Sequence, residues 1–357
     1  MKDIDNLIRE DIRELKGYHV EDIPFRVKLD VMENPYPLPD ALWTMVIEEV
    51  KGILINRYPD PNATDLRRVI AEQLDVVPGD IIIGNGSDEL IQMIITAFCG
   101  LQEKILYPVP SFSMYEIIAR VLGRGTAEVM LDDKWDLPLD EIKERMMDGD
   151  IKIIFIAYPN NPTGNRFSMD RILKIIQGFE GIVVLDEAYF DFSKKTFLSY
   201  LKEFNNLIIL RSLSKSGMAG LRVGFLVANK VLTETIAKVK LPYNSNVLSQ
   251  VVSRAVLENR ELIDAQVDSI ISERERLLKG LEDMDGVKPF PSDANFILFE
   301  TNEEAVTIYN RLIARGILIK KITDDRGRLK NYLRVTVGKS EENDDFLIGL
   351  KDSLEGR

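Results

Sequence analysis

Leu207-Ile208-Ile209-Leu210-Arg211-Ser212-Leu213-Ser214-Lys215-Ser216-Gly217-Met218-Ala219-Gly220-Leu221-Arg222-Val223-Gly224-Phe225-Leu226-Val227-Ala228 joins two apolar runs through serines, glycines and a single lysine, with an arginine at either end. Runs 207–210 and 222–228 are short, unbroken and rich in branched side chains, the pattern of strands buried on both faces. The segment between them is therefore predicted as a loop held by two rigid elements, where catalytic side chains are commonly carried.

A lysine amine forms a Schiff base with a carbonyl once its pKa is lowered, so Lys215 is the candidate nucleophile. Serine hydroxyls, backbone amides and a bidentate guanidinium beside it suit a phosphate. Pyridoxal phosphate carries both an aldehyde and a phosphate. Two other readings compete: a lysine in a polar loop is ordinarily a solvated charge, and Ser212 to Lys215 also fits the Ser-x-x-Lys pattern of serine acyltransferases, with Lys215-Ser216-Gly217 like their Lys-Thr-Gly element. One lysine cannot fill both of those positions, and no Ser-Asp-Asn occurs in the chain. The acyl-enzyme reading is discarded.

Working outward, apolar runs and helical patterns alternate: Ile81 to Ile83, Ile105 to Tyr107, Val129 to Leu131, Ile151 to Ala157, Ile182 to Leu185, then the two runs above. This predicts an α/β fold with a mainly parallel seven-stranded sheet and crossover helices. In such sheets ligands sit beyond the carboxyl ends of the strands. Polar residues gather there: Gly84-Asn85-Gly86-Ser87-Asp88-Glu89, Pro110-Ser111-Phe112, Tyr158-Pro159-Asn160-Asn161-Pro162-Thr163-Gly164 and Asp186-Glu187-Ala188-Tyr189. The first is a glycine turn opening a helix, an anion-binding arrangement, although Ser or Asp there is equally a normal cap. Taken singly, Asp186 could also be a helix cap or a metal ligand, and Phe112 a core aromatic.

Residues 1–30 lack strong periodicity and are predicted as an arm packing on the small domain or a partner subunit. Residues 31–245 form the large domain, with helices whose inward residues are Leu42, Val46, Ile47 and Val50, then Leu66, Val69, Ile70 and Leu74. Beyond residue 245, long charged helices at 247–258 and 261–283 lead to a small α+β domain with strands at 296–299, 316–319 and 333–337.

The chain's 357 residues, 45% hydrophobic and 29% charged, allow a sizeable core. A net charge of -12 disfavours nucleic acid and anionic membrane, so any anion site must be local. The start is charged and no run of some eighteen apolar residues occurs, which predicts a cytoplasmic protein. Cys99 and His19 are the sole residues of their types, so disulfides, Cys/His metal centres and Ser-His-Asp triads are excluded and no metal is expected.

The set Glu33-Asn34-Pro35, Tyr58-Pro59-Asp60, Gly84 to Glu89, Asn161-Pro162-Thr163-Gly164, Asp186 to Tyr189, Ser212-Leu213-Ser214-Lys215 and Leu333-Arg334-Val335-Thr336-Val337-Gly338 resembles the fold-type I aminotransferases. The likeness is greatest to the histidinol-phosphate aminotransferases and is collinear over nearly the whole chain. It implies a pyridoxal 5'-phosphate enzyme exchanging an amino group between histidinol phosphate and 2-oxoglutarate, giving imidazole-acetol phosphate and glutamate. Aromatic-amino-acid aminotransferases and threonine-phosphate decarboxylases share the fold and are the nearest rivals. Regulators that keep the fold join it to a basic DNA-binding domain, for which neither length nor charge leaves room.

The resemblance also implies roles. Lys215 holds the cofactor; Asp186 pairs with the pyridine nitrogen, keeping the ring an electron sink; Asn161 and Tyr189 bond its phenolic oxygen; Phe112 stacks on it. Ser87, Asp88, Ser212, Ser214 and Arg222 hold the phosphate, which Tyr58 reaches from the neighbouring subunit of a homodimer with shared active sites. Arg334 grips the far end of the substrate, carboxylate or phosphate alike, and Tyr18 matches a tyrosine of the arm that closes over it. Asn161 and Tyr58 also face substrate. Where many relatives have an arginine before the last strand, this chain has Lys320, a cation without the fork geometry.

Overall fold

Residues 7–13, 23–322, 329 and 331–356 are described by the computed structural model. Their strands are β1 (Val27–Lys28), β2 (Ile81–Asn85), β3 (Lys104–Val109), β4 (Gly125–Met130), β5 (Ile151–Ala157), β6 (Ile182–Asp186), β7 (Leu207–Ser212), β8 (Val223–Ala228), β9 (Val287–Pro289), β10 (Phe296–Thr301), β11 (Ile317–Leu318), β12 (Lys320–Ile322) and β13 (Tyr332–Thr336).

Seven of them form one sheet in the order β2-β8-β7-β6-β5-β3-β4. From β4 to β7 every pairing is parallel, whereas β8 runs antiparallel to both β7 and β2. Both faces are covered, so β7 and β8 are buried along their whole length, which explains their continuous apolar runs. β4 is an edge strand and is mostly half-buried. Its polar first half, Gly125 to Glu128, is why the strand begins earlier than the apolar run at 129–131 predicts.

The second sheet is antiparallel, in the order β12-β13-β10-β9. The predicted strand at 316–319 divides in two: β11 pairs in parallel with β1, and after Ile319 the chain changes partner so that β12 pairs with β13. The N-terminal segment is tied to this region further on, since the Thr336 amide donates to Leu29 O at 2.9 Å and the Met32 amide to Thr336 Oγ1 at 3.0 Å. It then crosses to the large sheet's polar edge.

The helix Asp40–Lys51 buries Leu42 and Val46, one turn apart. Ile47, predicted inward, is instead 49% exposed, and Trp43 and Met45 beside it are exposed too. Two narrow apolar stripes on this helix face different ways, and a single stripe is enough to seat it. Among the described residues no helix is long and apolar enough to cross a membrane.

Candidate active site

The polar ends of the strands converge. β5, β6 and β7 run parallel and so end on one edge of the sheet, and β2, reversed twice through β8, ends there as well. The helix Ser87–Phe98 starts at that edge directly after β2. Ser87, Asp88, Phe112, Asn161, Asp186, Tyr189, Ser212, Ser214, Lys215 and Arg222 all line one cleft there, together with Met32 from the N-terminal segment.

One end of the cleft is built for an anion. Gly86 caps the helix with φ +80, and a Cβ on it would lie 2.5 Å from Nη2 of Arg222. A Cβ on Gly224 would lie 2.6 Å from the Ser87 nitrogen. Two missing side chains thus let β8 and the guanidinium approach the unpaired amides of the helix start. Arg222, itself left-handed at φ +52, donates from Nη1 to Ser214 Oγ at 3.5 Å, and its Nη2 is 3.5 Å from Asp88 Oδ2. Amides, two hydroxyls and a guanidinium in one cradle fit a phosphate dianion.

At the other end, buried Asp186 closes β6. Its Oδ1 accepts from the Ala188 amide at 3.1 Å and its Oδ2 from the Tyr115 hydroxyl at 2.8 Å. Burial pushes the carboxyl up to about 6, and the Tyr115 hydrogen bond opposes that rise.

Lys215 projects between these ends from a single turn of π-helix, Ser214–Met218, that Gly217 interrupts at φ +111. Burial, and then the nearby Arg334 guanidinium, bring its amine down to about 8. Its Nζ donates to Val31 O at 3.3 Å and lies 5.9 Å from the Tyr189 ring centre. Burial also raises the Tyr189 phenol, with Arg334 opposing. An amine with a lowered pKa beside a cradle for a dianion and a buried carboxylate is the donor set that a phosphorylated pyridine aldehyde requires.

Arg334 is buried on β13, donating from Nη1 to Asn161 Oδ1 and from Nη2 to Asp30 O at 3.0 Å. Lys320 stands directly across from it in the β12–β13 register and is exposed. Tyr58 lies outside the cleft: it is 82% exposed and stacks on Tyr243, with ring centres 4.5 Å apart. Tyr18 falls outside the described residues.

Three participants were not singled out from sequence. Tyr115 is an aromatic on an amphipathic helix, where packing is the ordinary role, and Met32 stands just before the proline-rich stretch 33–39. Asn160 is wholly buried, donates to Pro110 O at 3.0 Å and accepts from Ser111 Oγ at 2.8 Å, fastening the loop after β3 to that after β5. A polar side chain doubled in Asn160-Asn161 was the one signal available. A larger cavity lies behind Ala188 and Ser212, where Arg211 is paired with Glu187 and Arg260 with Asp191 and Asp264.

Residues 26–349 match the family model for aminotransferase class I and II. A histidinol-phosphate aminotransferase of Caldanaerobacter subterraneus subsp. tengcongensis is 41% identical over 352 residues, covering 98% of this chain and 99% of its own. The crystal structure of the histidinol-phosphate aminotransferase from Clostridium acetobutylicum superposes with a TM-score of 0.85 at 26% identity, over 93% of this chain and 100% of that one. That of the Sinorhizobium meliloti enzyme in complex with pyridoxal-5'-phosphate gives 0.88 at 20% identity, over 98% of both. With the motifs and the cleft in agreement, the chain belongs to the class I and II aminotransferases and, among them, to the histidinol-phosphate aminotransferase family.

Proposed function

We propose that this protein transfers the amino group between L-histidinol phosphate and 2-oxoglutarate, using pyridoxal 5'-phosphate, in the biosynthesis of histidine. The observation that carries the reading is the convergence of Lys215, Asp186 and the Ser87–Arg222 cradle in one cleft, with Arg334 at its rim. When bound, the cofactor supplies an electron sink for the pair left at the substrate's Cα. The rest falls to the chain. Helix amides at Ser87 and Asp88, the hydroxyls of Ser212 and Ser214 and the Arg222 guanidinium would hold the phosphate, Asp186 would pair with the ring nitrogen, Phe112 would support the ring face, and Asn161 and Tyr189 would bond the phenolic oxygen. Lys215 Nζ would be the covalent anchor and afterwards the base that carries the proton from the substrate's Cα to C4′ of the cofactor. Its lowered pKa makes the neutral amine accessible near pH 8.

Arg334 binds the carboxylate of glutamate or 2-oxoglutarate in one half-reaction and the phosphorylated substrate in the other. The protein acts as a cytoplasmic homodimer with shared sites, each Tyr58 reaching the partner's phosphate cradle. Support comes from the exposure of Tyr58 and of Leu54 and Ile55 close to it in the chain, with Trp43 and Leu241 also exposed, apolar side chains that a subunit contact would cover. Residues 31–245 act as the cofactor domain and 246–357 as the small domain.

A panel of amino donors to 2-oxoglutarate tests this: histidinol phosphate, phenylalanine, tyrosine and threonine phosphate, with Lys215→Ala as the inactive control. The highest kcat/KM is expected for histidinol phosphate. A higher value for an aromatic amino acid, or release of carbon dioxide from threonine phosphate, would overturn the substrate assignment.

A further inference from the structure

We propose that Tyr115 is a positioning residue for the cofactor, fixing the carboxylate of Asp186 and the ring of Phe112 in one mutual geometry. The proposal rests on the reading of Asp186 as the partner of the pyridine nitrogen. Tyr115 is completely buried in the first turn of the helix Met114–Val121. Its hydroxyl donates to Asp186 Oδ2 at 2.8 Å, from one element of the fold to the end of another. Its ring stacks on Phe155 of β5, centres 4.8 Å apart and planes 17° apart, and meets Phe112 edge to face at 5.5 Å and 87°. A single side chain therefore touches both the carboxylate at the end of the cleft and the aromatic on its wall.

The chemistry of the donor matters. An ionised carboxylate has about four lone-pair sites, and here one is taken by the Ala188 amide and one by Tyr115. Two donors on different oxygens fix the plane of the group and leave sites for a ligand. A phenol is neutral, so it orients Asp186 without cancelling the charge that a protonated ring nitrogen needs, as an arginine there would. Burial and the Asp186 charge hold the phenol pKa well above its usual value, so the proton stays on Tyr115. The hydrogen bond also opposes the burial that favours the neutral acid.

The test compares two ligands on the full-length chain, stripped of cofactor and reconstituted: pyridoxal phosphate and its 1-deaza analogue, in which carbon replaces the ring nitrogen. Kd is read from quenching of protein fluorescence. Wild type should prefer pyridoxal phosphate, and Asp186→Asn should lose that preference. Tyr115→Phe should reduce it by about 3- to 10-fold, the loss of one hydrogen bond, while leaving the analogue's Kd within roughly twofold. Tyr115→Leu, which cuts the same hydroxyl but packs worse, should lose as much of the preference. A ratio of affinities is measured on folded protein, so lower stability leaves it intact. Equal weakening of both ligands by Tyr115→Phe, or an unchanged ratio, would overturn the proposal while Asp186 keeps its role. An Asp186→Asn variant that still prefers pyridoxal phosphate would overturn the ring-nitrogen reading and the proposal with it.

Discussion

Asp186, the carboxylate proposed to pair with the ring nitrogen, opposes the stability of the fold that holds it. Its ordinary pKa of 3.8 rises to about 6 in the fold because burial disfavours the charged form. Between those values the folded chain holds more protons than the unfolded one, so stability falls as pH rises through that window and the cost is complete above it. Asp186→Asn should therefore stabilise the cofactor-free protein at pH 7, by up to about 2 kcal/mol, since asparagine can accept only part of the two hydrogen bonds. Urea titrations of both proteins should show the difference shrinking from pH 6 downward and disappearing below about 4. A gain that persists at pH 3.5 would mean that packing, and not charge, is responsible. Lys215 is subject to the same penalty from the opposite sign, which is why its amine is the weaker base that the proposed chemistry uses.

The elements carry their own tests. Gly224 brings β8 against the start of the helix Ser87–Phe98, and a methyl there would meet backbone at 2.6 and 2.7 Å, which cannot rotate away. Gly224→Ala should cost about 1–3 kcal/mol of stability and weaken cofactor binding, both measurable by thermal melts with and without pyridoxal phosphate. On the small sheet, Lys320 faces Arg334 across the β12–β13 pair. A phosphate carries close to two charges and profits from a second cation where a carboxylate is satisfied by one arginine. Lys320→Ala should lower kcat/KM for histidinol phosphate by roughly 10- to 150-fold and that for glutamate far less, as stopped-flow measurement of each half-reaction would show. The parts legible in the sequence were those where an unbroken apolar run stops at polar residues: Asp186, Ser212, Ser214 and Lys215 stand at or just beyond strand ends. Tyr115 was hidden because a helical aromatic reads as packing, its hydroxyl's partner lying on a distant strand. β9 and the first half of β4 were missed because edge strands can be polar. Ile47 was misplaced because periodicity shows that a face is apolar but not what covers it.

For the molecule as a whole, the exposed Tyr58–Tyr243 stack leads to a prediction about assembly. Tyr58→Phe and Lys215→Ala variants, each impaired alone, should regain part of the activity when mixed and allowed to exchange subunits, because one hybrid site then holds both native residues. Absence of recovery after proven exchange would count against shared sites. The segment over Lys215 has a different consequence. Val31, whose carbonyl meets the lysine, lies near the beginning of the chain, yet its neighbours Leu29 and Met32 are secured by Thr336, near the end. During synthesis the large sheet leaves the ribosome well before β13 does, so a nascent protein has the strand ends, Lys215 and the backbone over it but not Thr336, which secures that backbone. Cofactor captured during translation would meet a cleft whose cover is unsecured, and ribosome-bound chains stalled after β8 has emerged but before β13 is made should release it far faster than the finished protein.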